Sequence, residues 1–178
     1  AGLRELVRAG TLAANSHNTQ PWRFTMAERQ ITVGPDLSRR CPAVDPDDHH
    51  LFASLGCAVE NIVQAASSLG FKAEPTFDGA GGGRVAIALE RAPSLRSDLV
   101  AAITQRQCTR AQYDGRAVRT PELSTLLAAG TLDDVVCLLE TERPRMEAIL
   151  DYVVHGNTAQ MRDPAFMAEL VAWIRFND

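Results

Sequence analysis

Lysine is almost absent from this 178-residue chain: Lys72 is the only one, and arginine supplies nearly all the positive charge. The formal net charge is −4 and the pI is about 5.6. Because no sustained stripe of basic residues is present, the composition argues against a nucleic-acid-binding surface. No apolar run approaches the ~20 residues that a membrane-spanning helix needs. We therefore expect neither nucleic acid nor membrane among the partners.

Cysteine motifs are also lacking. Four cysteines are spread along the chain: Cys41, Cys57, Cys108 and Cys137. None forms a Cys-x-x-Cys pair and no secretory leader precedes them, which predicts reduced thiols in a cytoplasmic protein. Adjacent His49 and His50 would point about 100° apart on a helix, without a carboxylate at ligand spacing, so no metal site is predicted.

The composition, 46% hydrophobic and 22% charged, predicts a single soluble globular domain over residues 1–178. Apolar residues at steps of three and four indicate helices, and alternating apolar residues indicate strands. The pattern predicts, in chain order, a helix before residue 15, a hairpin with strands at 22–26 and 31–33, an acidic cap at 45–48 before a long helix over 51–69, and a second hairpin with strands at 73–77 and 85–89. A helix over 96–105 and a strand at 135–140 follow. The last two helices, over 143–161 and 163–176, each carry an apolar stripe that is expected to pack in the core.

Residues 16–24 form the most chemically loaded segment, Ser-His-Asn-Thr-Gln-Pro-Trp-Arg-Phe. Pro21 disfavours the helical region for Gln20, which predicts an extended loop between a helix and a strand. Neutral side chains that both donate and accept hydrogen bonds suit the edge of a planar heterocycle. The alternative is an ordinary capping loop, in which Ser16 or Asn18 closes backbone turns. These residues alone leave both interpretations open.

A second polar segment follows the predicted helix over 96–105. Arg106 and Arg110 stand four residues apart beside the Cys108 thiol and the Thr109 hydroxyl. Two guanidinium groups at this spacing could hold a phosphate by bidentate hydrogen bonds. Arginines near a helix end also commonly serve only to complement its dipole.

The loop at 16–24 resembles that of the nitroreductase family of FMN-dependent oxidoreductases, and is closest to the Acg-like branch, which reads Ser-His-Asn-Thr-Gln-Pro-Trp-Arg-Phe. Residues 55–61, Leu-Gly-Cys-Ala-Val-Glu-Asn, resemble the long helix that follows the loop in that branch, so the resemblance spans residues 12–70. Residues 106–113 are similar to the family's arginine segment that grips the FMN phosphate. Gln107 and Cys108 depart from it, standing where the branch has an arginine and a hydroxyl residue.

The resemblance implies an α+β fold with a central, mostly antiparallel sheet packed between helices. In the family the arginine segment precedes the loop, whereas here it follows it. This order implies an internally duplicated, pseudo-dimeric fold whose second, degenerate repeat starts near residue 106. The domain over 1–178 would then be incomplete. It would act as a homodimer, or as a pseudo-dimer whose C-terminal half is missing.

The implied function is that of an FMN-dependent oxidoreductase, a flavoprotein that passes hydride from NAD(P)H through the flavin to quinone or nitroaromatic acceptors. No catalytic side chain is obligatory in that scheme, because the cofactor carries the chemistry. The residues expected to bind the cofactor are Ser16, His17, Asn18, Gln20 and Trp22 around the flavin, and Arg106 and Arg110 toward the phosphate. Two alternatives remain: a catalytically silent protein that sequesters flavin, and an interaction module that has lost it.

Overall fold

The computed structural model describes residues 2–109, 111–132 and 134–175. Six α-helices lie within these ranges: α1 (Gly2–Thr11), α2 (His49–Ser68), α3 (Asp98–Gln105), α4 (Thr120–Gly130), α5 (Arg143–Arg162) and α6 (Pro164–Trp173). The predicted helices over 51–69 and 96–105 are confirmed. None of the helices in the described ranges is long and apolar enough to cross a membrane.

Four strands form one fully antiparallel sheet, which confirms the predicted α+β fold class. They are β1 (Trp22–Ala27), β2 (Gln30–Pro35), β3 (Phe71–Asp78) and β4 (Arg84–Arg91), in the order β1-β2-β4-β3. Both predicted hairpins are present, with β1 on β2 and β3 on β4. The two hairpins join where Ile31 of β2 lies opposite Ile87 of β4.

The core lies between one face of this sheet and helix α2. Ile31, Val33 and Ile87 alternate with polar or small residues along their strands and are fully buried. They pack in one cluster with Ile62 of α2, which is also fully buried. Apolar side chains spaced by two residues in the strands and by about 3.6 in α2 therefore pack together in a single layer.

Helix α1 packs on α2 at Gly10, which the sequence pattern marks only as an interruption. A Cβ atom at Gly10 would lie 3.1 Å from Cδ1 of Ile62 and 3.2 Å from Cε1 of Phe24. This residue is buried within the last turn of α1, so glycine there permits the close approach of the two helices.

The acidic segment before α2 provides its cap, as predicted, and the capping side chain is Asp45. Its carboxylate is 4% exposed and accepts the backbone N–H groups of His50 and Leu51, both at 2.9 Å. Burial acts to raise the pKa of Asp45, but these two hydrogen bonds and the nearby His50 and His49 together outweigh it, so the net pKa is lowered. Asp45 thus fixes where the central helix begins.

The chain divides into two compact units, one of residues 1–107 with 164–178 and one of residues 108–163. The first unit holds the sheet with α1, α2, α3 and α6, and the second holds α4 and α5. The prediction of a degenerate repeat starting near residue 106 stays a prediction.

The apolar stripe of α5 is not part of a core, contrary to the sequence prediction. Its members are 50–60% exposed: Met146, Ile149, Leu150, Val153 and Val154. A helix with apolar residues at steps of three and four has the pattern of a packed helix, but burial requires a packing partner, and nothing among the described residues buries this face. The stripe of α6 does contribute to the core, through Phe166 at 7% exposed.

The strand predicted at 135–140 is also wrong. The structure has only an isolated bridge between Leu132 and Val135 there, and the side chains of Val136 and Leu138 are 78% and 87% exposed. A run of β-branched and apolar residues forms a strand only where a second strand supplies hydrogen-bonding partners.

We expect Ile87→Ala to lower the free energy of unfolding by about 2–5 kcal/mol, because it removes a fully buried side chain at the centre of the sheet. Ile149→Ala is the matched control. Its side chain is 53% exposed on α5, so the change should stay within about 0.5 kcal/mol. Urea unfolding of both variants measures the difference, and equal effects would contradict the assigned core.

Candidate functional site

The polar loop lies between the end of α1 and the start of β1, and its backbone is left-handed rather than extended. Ser16–Asn18 form a single 3₁₀ turn, and φ is 48° at His17, 53° at Asn18 and 54° at Gln20. The extended loop predicted from Pro21 is therefore wrong. A proline disfavours the right-handed helical region for the residue before it, but here Gln20 takes the left-handed region instead of the extended one. The Thr19 N–H closes the turn onto the Ser16 carbonyl at 3.0 Å.

Three side chains hold this loop through hydrogen bonds to its backbone. The Asn15 Oδ1 atom accepts the Gln20 N–H at 2.8 Å. The Arg39 guanidinium donates to the Thr19 carbonyl at 2.6 Å, and the Arg175 guanidinium donates to the Asn18 carbonyl at 3.1 Å. Asn15, rather than Ser16 or Asn18, supplies the side chain that ties the loop to itself. Left-handed backbone at three non-glycine residues is costly and persists only where such contacts enforce it.

The His17 side chain carries the most informative atom of the loop. Its Nε2 atom is buried and has no hydrogen-bond partner among the described residues. Buried polar atoms without partners are rare, because each one loses its hydrogen bonds to water. The position therefore suits a ligand that offers a hydrogen-bonding group to the imidazole, and the edge of a flavin ring system is such a ligand.

Trp22 lies at the junction of the loop and β1 and packs into the core at 8% exposed. Its ring centroid is 6.3 Å from that of Phe24, at an interplanar angle of 50°. The residue before it, Pro21, accepts the Asp36 N–H at 3.0 Å through its carbonyl. Trp22 thus holds the end of the loop against the sheet, while its contact with a cofactor stays a prediction.

The structure brings Arg106 to the end of α1, which leads into the loop. Its Nη2 atom donates to the Leu12 carbonyl at 3.1 Å, across 94 residues of sequence. Arg110, the second predicted phosphate ligand, lies outside the described residues. One of the two arginines is therefore placed beside the helix that carries the loop, and no ligand role is tested for either.

Asp36 organises the turn that delivers Arg39 to the loop. Its carboxylate accepts from the Arg23 guanidinium at 3.0 Å and from the Ser38 hydroxyl at 2.6 Å. The hydrogen bond from Arg23, followed by that from Ser38, lowers the pKa of Asp36 to about 2. Sequence reasoning missed Asp36, Arg39 and Arg175, because no local pattern marks a contact made 20 or 157 residues away. Asn15, directly before the motif, could have been found as a candidate capping side chain.

The fold and the loop together define an α+β protein with a polar, hydrogen-bonded turn between its first helix and its first strand. No protein-family model matches the chain. Two curated proteins of Mycobacterium tuberculosis, from strains CDC 1551 / Oshkosh and ATCC 25618 / H37Rv, match it at 27% identity over 178 residues. Each carries the name "Putative NAD(P)H nitroreductase". The match covers 96% of this chain and 50% of each relative, so the chain spans about half their length.

Two solved structures are more distantly similar. One is a nitroreductase family protein from Streptococcus pneumoniae TIGR4, with 13% identity, a TM-score of 0.41, and coverage of 54% of this chain and 82% of that one. The other, from Parabacteroides distasonis ATCC 8503, is titled "Putative NADH dehydrogenase/NAD(P)H nitroreductase", with 15% identity, a TM-score of 0.43, and coverage of 65% and 85%. Likeness at this level carries no argument about the fold. The names of the curated relatives describe an NAD(P)H nitroreductase, which is said of those proteins.

We expect Arg39→Met to lower the free energy of unfolding by about 1–3 kcal/mol, because it leaves the carbonyl of Thr19, itself 2% exposed, without its donor. Amide hydrogen exchange should report faster exchange at Gln20, whose N–H belongs to the same turn. The control is Arg96→Met, which removes the same charge from an exposed position in the same unit. Identical exchange in both variants would contradict the anchoring role of Arg39.

Removal of the Arg23 partner should raise the pKa of Asp36. We expect Arg23→Gln to move it from about 2 part of the way toward the usual ~3.9, since the Ser38 bonds remain. The native pKa lies below the unfolded one, so this carboxylate stabilises the fold above about pH 4 and loses that effect as the pH falls toward 2. A carboxyl NMR titration measures the shift, with Arg96→Gln as control. An Asp36 pKa that stays at its native value would refute the assignment to Arg23.

Proposed function

We propose that this chain binds FMN at the 15–20 loop and acts as a nitroreductase-like oxidoreductase, with NAD(P)H as donor and quinones or nitroaromatic compounds as acceptors. The observation that carries the proposal is the buried Nε2 atom of His17, which has no hydrogen-bond partner among the described residues. The backbone of its loop already forms hydrogen bonds with the side chains of Asn15 and Arg39. The names of the curated relatives, which describe an NAD(P)H nitroreductase, support the same class of reaction.

The loop side chains suit the edge of a flavin for a simple chemical reason. The ring edge alternates hydrogen-bond donors and acceptors, and the Asn18 and Gln20 carboxamides and the Ser16 hydroxyl can serve either role. The His17 imidazole adds a fourth polar group, and Trp22 fixes the loop to the sheet. Bound FMN would supply two-electron hydride transfer. The protein's own contribution is to bind the ring, orient it and limit the access of water.

Arg106 is proposed to face the phosphate end of FMN, together with Arg110. A guanidinium carries five N–H donors, so the bond from Arg106 to Leu12 is compatible with a further bond to a phosphate oxygen. The departures at Gln107 and Cys108 remove one positive charge and one hydroxyl from the resembled segment. We therefore expect weaker phosphate binding than a complete segment would give.

We also propose that the complete site needs a second copy or a second half, in a cytoplasmic homodimer or pseudo-dimer. The support is that the chain covers 50% of each curated relative. A second repeat starting near residue 106 belongs to the same proposal. The molecular mass in solution, measured by light scattering with and without FMN, tests it.

The function is tested by the visible spectrum of the protein after incubation with FMN and gel filtration. We expect the flavin absorbance to co-elute with the protein and to bleach when NADH or NADPH is added anaerobically. Bound flavin that does not bleach would indicate a flavin-sequestering protein. A colourless protein would overturn flavin binding and favour an interaction module.

A pair of substitutions at Asn18 tests the loop itself. We expect Asn18→Ala to weaken FMN binding by about 1–3 kcal/mol, because it removes a polar partner of the ring. Alanine is also disfavoured at a φ of 53°, so Asn18→Gly serves as the matched variant that removes the side chain and keeps the backbone. Equal losses in fluorescence titrations would assign the effect to the side chain. An unchanged affinity in the glycine variant would refute that role.

A further inference from the structure

A cavity lies in the first unit, at the other end of β1 from the polar loop. Its volume is about 840 Å³, and it opens between the start of α1, the β1–β2 turn and the start of β3. Met26 and Ala27 reach it from the end of β1, four or five residues beyond Trp22. At ~3.3 Å per strand residue, this places the cavity about 13 Å or more from the loop. It is therefore a separate place on the molecule.

Apolar side chains form one part of the cavity lining, which we call its floor: Leu3, Met26, Phe71 and Leu89, of which Leu89 is 3% exposed. The backbone closes in at Gly2, where a Cβ atom would lie 3.4 Å from the Phe71 ring. Such a surface can cover a flat, apolar ring and remove it from water.

The rim carries three arginines, Arg4, Arg29 and Arg91, against one carboxylate, Glu28. Several arginines elsewhere in the chain pair with carboxylates, as Arg40 does with Asp48 at 2.9 Å. Among the described residues, no ion pair involves any of the three rim arginines. The cavity is thus a local excess of positive charge in a chain whose net charge is −4.

Arg91 is also held in a defined orientation. Its Cζ atom lies 4.5 Å above the centroid of the Phe71 ring, which is the geometry of a cation–π contact. A guanidinium group presents its N–H donors in a planar fork, and a carboxylate can accept two of them. The positive charge of Arg91 and the apolar surface of Phe71 therefore lie side by side.

We propose that this cavity binds a small aromatic carboxylate, with the ring against Leu3 and Met26 beside the Arg91–Phe71 pair and the carboxylate among Arg29, Arg91 and Arg4. The chemistry requires both parts: the apolar floor selects a flat ring, and the unpaired guanidinium groups select an anion. This proposal does not depend on flavin binding at the 15–20 loop.

Isothermal titration with 2-naphthoate, using the intact chain, tests the proposal. We expect saturable binding with a Kd of about 0.1–1 mM, as is reasonable for a ligand of this size, and weaker binding at high salt. The neutral amide of the same shape, 2-naphthamide, should bind about tenfold more weakly. Backbone NMR shifts should centre on Ala27, Glu28 and Phe71. Absence of saturable binding at millimolar ligand would overturn the proposal.

Substitutions at the rim separate the cavity from general charge effects. Arg29→Gln and Arg91→Gln should each weaken 2-naphthoate binding about three- to tenfold. Arg91→Lys keeps the charge but loses the planar fork, and should give an intermediate loss. The matched control Arg96→Gln removes one charge from an exposed position outside the cavity and should bind like the parent.

The outcomes also distinguish this site from the loop. Binding of 2-naphthoate should persist in Asn18→Gly, and FMN titrations should be unchanged in Arg29→Gln. A loss in Arg96→Gln equal to that in Arg29→Gln would show that only net charge matters. A loss in Asn18→Gly would place 2-naphthoate in the loop. Either result would refute the proposed cavity.

Discussion

The contact between α2 and the inner face of the antiparallel sheet is the interaction on which the rest of the first unit depends. Ile31 and Ile87, paired across β2 and β4, are fully buried against the helix. Burial of such side chains is worth ~1.5–3 kcal/mol each. Asp45 sets the start of that helix, and Gly10 lets α1 pack beside it. Together these contacts place the end of α1 next to the start of β1.

The polar loop occupies that short connection, and its geometry follows from the fixed positions of the two ends. Three non-glycine residues take left-handed backbone conformations there, at His17, Asn18 and Gln20. The cost is offset by hydrogen bonds to the loop backbone from Arg39 and Arg175, which arrive from distant parts of the chain. The Thr19 and Asn18 carbonyl groups thereby have hydrogen-bond donors. The Nε2 atom of His17 takes no part in these contacts and has no hydrogen-bond partner among the described residues.

The sequence was a good guide wherever a pattern and its packing partner both lie within the first unit. The long α2 helix and both hairpins were predicted because their apolar periodicities match surfaces that do meet. The same reasoning failed for α5, whose stripe of apolar residues is exposed, and for residues 135–140, which have no ladder to join. Periodicity reports what an element can bury. It does not report whether a partner is present.

The sequence by itself determined the extents of the main elements and the nine-residue polar motif, because each depends on local propensity and on residue spacing. The α+β class followed from the resemblance that this motif carries. Only the tertiary structure decided the left-handed course of that motif and the identity of its anchors. It alone also revealed the arginine-rimmed cavity, since Arg4, Arg29 and Arg91 come from three separate elements. Contacts between residues far apart in the chain depend on how the elements pack, and packing has no local signature in the sequence.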